Sequence, residues 1–433
     1  MVKNTTEINQ ETGQKHNREG VITAVLTADN HLGDTAYGQQ PRKREARQER
    51  LRQAFEQAVD FAIDQGVDLF IQIGDLFDTT TPDERDRSFV ADRLAQLKQA
   101  GVHTFALGGV HDTPNNEAQK QQGNLLPAPQ VNYERLGVLH YFPPMPNNSP
   151  ELEPVIVDIK GMLLGLSGLG VLAGQEGDPL AHMRVQSDIE RAVIRVLLLH
   201  APIAGLAAGS SLLDTRAQVS LNSIAKQTTF QYIFAGYHHM YNRFNVGQTE
   251  VIVAGATQHI DFNHPEQVPG FVFLGLAPDG LRWCEHIPVN SWSLHQLVIH
   301  TSELWPAQGT EERSPTDIIL ERLYALCSAD AMVQLRLEGE MTRRQYHQLD
   351  LNQIRRYSEE HCFALAIDDS SLSLLANVDT ISQEAAERLS LRQELITLAD
   401  EWISEASDEQ EKKALQTTKE ELLAAIDELK GKR

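Results

Sequence analysis

The chain has few cysteines, no excess of positive charge and no long apolar run, and each shortage excludes something. Its three cysteines, Cys284, Cys327 and Cys362, are odd in number and far apart in 433 residues. That fits neither a disulfide framework nor a zinc-ligand spacing, so they are expected to be separate core residues in a reducing compartment. No apolar stretch reaches the roughly 20 residues that span a bilayer, and residues 1–19 are polar and mixed in charge rather than basic and then apolar. The expectation is a cytoplasmic protein with no membrane contact and a disordered tail over 1–19. Only 38 Lys and Arg stand against 60 Asp and Glu, a formal charge of -22. This excludes a protein that coats nucleic acid by general electrostatics, so any DNA contact must be local or shared with a partner.

What is present is an ordinary globular composition, long enough for two or three domains at about 150 residues each. Between residues 21 and 288 strands and helices alternate. An apolar strand over 21–28 ends in Asp29-Asn30-His31, and Leu51, Phe55, Ala58 and Ala62 then follow at helical spacing. The strand over 67–73 runs into Gly74-Asp75-Leu76-Phe77-Asp78, and the one over 102–107 into Gly108-Gly109-Val110-His111-Asp112. Strands over 195–199 and 232–235 end in His200 and in Gly236-Tyr237-His238-His239. In α/β sheets the carboxyl ends of the strands form the ligand-binding edge, and here five strands deliver Asp or His to it.

Singly, an Asp or His at a strand end is a turn residue or a satisfied hydrogen-bonding group. Five in this order point to a metal cage. Two divalent ions need a bridging carboxylate flanked by imidazoles, and Asp75 is the natural bridge. Asp29 and His31, two apart on extended chain, reach one metal, while His200 and the 236–239 loop close the other side.

These motifs resemble those of the calcineurin-like metallophosphoesterases. Within that superfamily, Gly255-Ala256-Thr257, Asp261-Phe262 and Gly270-Phe271-Val272 resemble the SbcD family of DNA-repair nucleases, as does the run Val333-Gln334-Leu335-Arg336-Leu337-Glu338-Gly339. The resemblance covers residues 21–370. It implies an α/β sandwich of two mixed sheets flanked by helices over 20–290, a small α+β DNA-capping domain over 291–372 and a helical partner-binding segment over 380–433. The small domain reads strand 294–300, helix 317–327, strand 332–337, helix 345–360, strand 363–367. The last segment carries the stripes Leu391, Leu395, Leu398, Trp402 and Leu422, Ile426, Leu429.

The same resemblance implies manganese or magnesium held by Asp29, His31, Asp75 and His239. A second ion would use Asp75, an asparagine and two histidines, but only Asp75 and His200 remain. Val110 and Tyr237 stand at the other two places. Valine has no lone pair and a neutral tyrosine is a poor ligand, so one good site and one deficient site are expected, with His238 or Tyr237 as possible substitutes. His111 is expected to assist the leaving oxygen and Asp78 to accept a hydrogen bond from it. A basic run, Arg42, Lys43, Arg44, Arg47, Arg50 and Arg52, is read as either a solvated helix start or a DNA-backbone grip made by Arg42, Lys43, Arg44 and Arg47. The expected function is a metal-dependent DNA nuclease subunit, homodimeric and bound to an SMC-like ATPase of the SbcC type through its C-terminal helices. The alternatives are a catalytically weakened scaffold of such a complex and a phosphodiesterase for small nucleotides.

Overall fold

A computed structural model of the chain describes residues 16–38, 40–115, 126–144, 151–206, 216–262, 264–305 and 313–375, with Lys412, Gln416, Thr418 and Lys419. Apart from those four positions, which are helical, the segment read at 380–433 lies outside the described residues.

The strands are β1 (Ile22–Thr27), β2 (Leu69–Ile73), β3 (His103–Leu107), β4 (His140–Phe142), β5 (Val155–Ile159), β6 (Met162–Gly170), β7 (Ile194–His200), β8 (Tyr232–Gly236), β9 (Asn242–Val246), β10 (Thr249–Val253), β11 (Gly270–Ala277) and β12 (Gly280–Pro288). They form two six-stranded sheets, β12-β11-β1-β2-β3-β4 and β9-β10-β8-β7-β6-β5. In the first, β1 to β4 are parallel and β11 pairs antiparallel with β1; in the second, β6, β7, β8 and β10 are parallel with antiparallel edges.

Period-two alternation decides how the sheets stack. Ile22, Ala24 and Leu26 join Ile71, Phe105, Leu166, Leu198, Phe234 and Ile252 in one core between the sheets. Val25 points the other way, into a second core under the helices, and Leu197, Leu199, Ile233 and Val251 fill a third on the far face. Each fully buried Leu, Ile or Phe contributes about 1.5–3 kcal/mol. That rigid base lets the strand ends hold unfavourable backbone conformations.

Helices α1 (Pro41–Gln65) and α2 (Glu84–Gln99) cover the first sheet. Proline in its first turn starts α1, and Gly66, left-handed at φ 57, ends it. Its buried face carries Arg47, Leu51, Phe55, Ala58 and Ala62. Asp83 caps α2 by accepting the Asp86 amide.

Two departures from the sequence reading concern the ends of these elements. His16 stacks on Trp283, centroids 4.1 Å apart, and lies 3.0 Å from Glu285, while Arg18 bonds Gln65. Residues 16–19 are therefore docked rather than tail; residues 1–15 lie outside the described residues. Cys327 and Cys362 form a disulfide, Cα atoms 4.9 Å apart across 35 residues, and Cys284 is free. The two half-cystines follow two helices whose ends converge, which linear spacing does not reveal.

Those helices are α3 (Pro315–Leu326) and α5 (Leu351–His361), with the short α4 (Arg343–Gln348) before α5. A smaller sheet has the order β13 (Ser293–His300), β14 (Ala331–Thr342), β15 (Ala364–Asp368), with β16 (Leu372–Leu375) parallel to β14. The helix read over 345–360 is split at Leu349, because Asp350 accepts the Gln353 amide as a cap and donates its own amide to Thr316. By compactness, residues to Leu297 group with Leu323–Leu335 and Tyr357–Ala366 in one unit, and Val298–Arg322, Arg336–Arg356 and the described residues from Ile367 in another. Among the described residues no helix is long and apolar enough to cross a membrane.

Candidate metal centre

Register sets the site. Ile73 pairs with Leu107 and His200 with Gly236, so the loops after β2 and β3 adjoin in one sheet, as do those after β7 and β8 in the other. The loops after β1 and β2 are tied residue by residue: the Asp29, His31 and Leu32 amides donate to the Gly74, Asp75 and Leu76 carbonyls at 3.0–3.1 Å. Asp29, His31, Asp75 and Tyr237 all have positive φ, at 47°, 46°, 51° and 75°. Each such conformation costs on the order of 1–3 kcal/mol, and together they turn the ligand side chains inward. Glycine is required beside them, since a Cβ on Gly74 would sit 2.0 Å from His200 Nδ1 and one on Gly109 2.1 Å from Asp75 Oδ1.

Three groups of ligand atoms result, each within 4.8 Å of one another: Asp29, His31, His239; Asp29, Asp75, His200; and His31, Asp78, His111. Asp75 Oδ2 lies 3.2 Å from His200 Nε2 and 4.0 Å from His31 Nε2, between the two imidazoles as a bridge would. His200 Nδ1 bonds the Ile73 carbonyl at 2.8 Å, leaving Nε2 toward the cage. Asp29 Oδ2, His31 Nε2 and His239 Nδ1 are buried without a hydrogen-bond partner among the described residues. Buried polar atoms are ordinarily bonded, so this concentration of unpartnered ligand atoms is what a cation, binding in exchange for the imidazole protons, would satisfy.

The charges agree. Burial opposes charge on His31, but the Asp78 hydrogen bond and the surrounding carboxylates outweigh it and lift the imidazole to about 9. His200 is lifted to about 9 in the same way, against burial, chiefly by Asp75. Burial works against ionised Asp75, yet His200 and His31 hold it well below the usual carboxylate range. Burial raises Asp29. Without metal, imidazolium ions stand in for cations. His111 differs: burial lowers its pKa, and its side chain is 23% exposed where those of His31 and His200 are 2% and 0%.

The calcineurin-like phosphoesterase model matches residues 22–241, which includes every one of these residues. The chain belongs to that family. No curated protein matches the sequence. Among solved structures, a putative 5'-nucleotidase from Staphylococcus aureus is similar at 12% identity, with 71% of this chain and 59% of that one covered and a TM-score of 0.35. This chain therefore spans less than two thirds of that protein's length. A dimetal phosphatase from Danio rerio is similar at 11% identity, with 62% and 99% covered and a TM-score of 0.36.

Members of this family bind divalent metals, and the residues here fit one position in full. Asp29, His31 and His239 bring unpartnered ligand atoms together in one group, and Asp75, grouped with Asp29 and His200, adds a second carboxylate 4.0 Å from His31 Nε2. The second position does not fit a full shell. Val110 is buried in the far-face core with Leu169 and Leu199, and Tyr237 joins the same cluster, its ring edge-on to His200 at 5.7 Å. Valine offers no lone pair, and a neutral tyrosine is a poor ligand for a divalent ion. The Nε2 of His238 accepts the Ile203 amide at 2.8 Å, so that nitrogen is engaged away from a metal.

Two further roles change. Asp78 is closest to His31, 2.9 Å from Nδ1, and 3.6 Å from His111, so it first orients a metal ligand and only then His111. Arg47, read as a DNA contact, is 1% exposed and bonds Asp34 and the His259 carbonyl. Arg52 is likewise buried, on Asp86. Of the basic run, Arg42 and Arg44 are exposed and Lys43 is partly so.

Sequence reading missed Asp112 and Asp261. Asp112 accepts the Gly109, Leu76 and Phe77 amides and a Gln130 side-chain bond, pinning two site loops together, and burial beside Asp75 raises it to about 6. Asp261 Oδ2 lies 3.6 Å from His239 Nδ1. Asp112 closes the Gly-Val-His-Asp motif, which was a signal; Asp261 had none beyond its resemblance to the SbcD branch.

Proposed function

We propose that this family member is a metal-dependent DNA phosphodiesterase, the nuclease subunit of an assembly with an SMC-like ATPase of the SbcC type. The observation that carries the hydrolase part is the cluster of buried, unpartnered ligand atoms at the strand ends. The DNA part rests on the SbcD-like residues 255–272 and 333–339. A bound metal, manganese in this reading, polarises the phosphoryl oxygens and lowers the pKa of attacking water. The chain does the rest. Asp78 fixes the tautomer of His31 and leaves Nε2 free for ligation. His111, the accessible imidazole, stands beside the Asp75 carboxylate, to which its amide donates at 2.9 Å. There it hydrogen-bonds the leaving oxygen and delivers a proton to it. Homodimerisation through the nuclease domain and partner binding through 381–433 belong to the same proposal.

A second reading is favoured by Val110 and Tyr237: a scaffold subunit that keeps the fold and one metal and hydrolyses slowly. Linear duplex DNA incubated with manganese and the full-length chain, alone and with its ATPase, separates the two. Manganese-dependent cleavage that disappears in Asp75→Asn supports the nuclease. ATPase binding with no cleavage above that variant supports the scaffold.

A further inference from the structure

We propose that Arg47 is a positioning residue for the metal centre, a buried guanidinium that ties from inside the protein the loop carrying the ligand His31 to the loop packed beside the ligand His239. Its Nε donates to Asp34 Oδ2 at 2.8 Å and its Nη1 to the His259 carbonyl at 2.6 Å. Asp34 lies three residues beyond the ligand His31, whose carbonyl accepts the Asp34 amide at 3.2 Å. His259 lies two residues before Asp261, the carboxylate beside the ligand His239. The loop carrying His259 is also bound to His239, through the Ala256 amide on the His239 carbonyl at 2.9 Å. One planar fork thus spans the loop after β1 and the loop after β10. The Trp292 ring backs the guanidinium at 5.5 Å.

The choice of residue carries the argument. Position 47 shares the buried stripe of α1 with Leu51 and Phe55, where an apolar side chain would pack without the desolvation cost of a cation. Among the described residues, both of its side-chain hydrogen bonds go to these loops and none to the helix or sheet it covers. A rigid guanidinium holds two acceptors in fixed directions, which a lysine ammonium does not. Residues that orient ligands from outside the coordination shell are worth about 10–100-fold in metal affinity.

The inference rests on the metal-binding reading, and titrating the full-length chain with manganese by calorimetry tests the two separately. Arg47→Met should weaken binding by about 10–100-fold. Arg47→Lys should weaken it by a smaller factor, and guanidinium ion at millimolar concentration should restore part of the affinity of Arg47→Ala. Leu166→Ala, in the core between the sheets, should lower the melting temperature and leave affinity unchanged. Arg47→Met binding as tightly as the unmodified chain overturns the proposal, as does an equal loss in Leu166→Ala. Should Arg47→Met not fold, unchanged affinity in Arg47→Lys overturns it and a measurable loss supports it. An unmodified chain that binds no manganese removes the metal reading itself, and this inference with it.

Discussion

The two halves of the metal cage are built to different standards. On the side of Asp29, His31 and His239 every contributing side chain is polar and buried, Asp78 orients His31 by a hydrogen bond, and Asp261 lies 3.6 Å from His239. On the side of Asp75 and His200 the two ligands are equally well held, but the rest of the wall is the valine of position 110 and the ring of Tyr237, continuous with an apolar core. The difference teaches that a fold can preserve ligand geometry on one side of a site while the other is absorbed into packing. Val110 and Tyr237 gain burial where a polar pair would have needed a cation to satisfy it.

The largest expected effect comes from making the halves alike. Val110→Asn with Tyr237→His supplies the missing oxygen and nitrogen donors, so calorimetric manganese stoichiometry should rise from one to two. The rate of phosphodiester cleavage should rise on the order of a thousandfold, about 4 kcal/mol of transition-state stabilisation. If the unmodified chain already binds two ions and the substitutions change neither quantity, the asymmetry has no functional meaning.

Removing a ligand from each half should cost unequal amounts. His239→Ala should reduce manganese affinity by more than the roughly 10–100-fold of an outer-shell change, whereas His200→Ala should stay within that range. Equal losses in the same titration would show that the ion sits between the halves.

Smaller, but opposite in sign for the two states, is the response to pH. In metal-free protein His31 and His200 are raised from an ordinary 6.5 to about 9. Their contribution to stability is thus full below 6.5 and lost as pH climbs through about 9. A metal needs the same imidazoles neutral, so its apparent affinity should climb over that range. Thermal melts from pH 6.5 to 9 should show the metal-free midpoint falling and the manganese-induced increase growing. Parallel curves would place the ion elsewhere.

The smallest effect concerns DNA. With Arg47 and Arg52 buried and Arg50 paired with Asp330, Arg42, Lys43 and Arg44 remain of the basic run to touch phosphate, so replacing all three with Ala should change the slope of log affinity against log salt by no more than about 3. A larger change would mean that the substitution disturbs more than a local contact.

How much of this was legible follows from the physics of each part. Apolar strands ending in Asp or His are read directly, because burial patterns and strand ends are local properties. Asp29, His31, Asp75, His200 and the 236–239 loop therefore came out of the sequence with their sheet edge, and the family resemblance singled out His239 within that loop. Arg47 was misread, although Arg47, Leu51, Phe55, Ala58 and Ala62 lie at helical spacing; charge was allowed to outweigh periodicity. The Cys327–Cys362 pair and the approach of Asp261 to His239 depend on distant segments meeting, which no linear pattern encodes. The tie between Asp78 and His31 failed for a subtler reason, since one carboxylate faces two imidazoles and only distance ranks them.

The left-handed backbone at Asp29, His31 and Asp75 sets heat resistance against ligation. Glycine adopts that conformation without penalty, so at these positions it should be better tolerated than alanine, and each such exchange deletes a donor. A random library screened only for survival at high temperature should drift toward folded proteins blind to metal. Keeping the site intact requires selection for binding in every round.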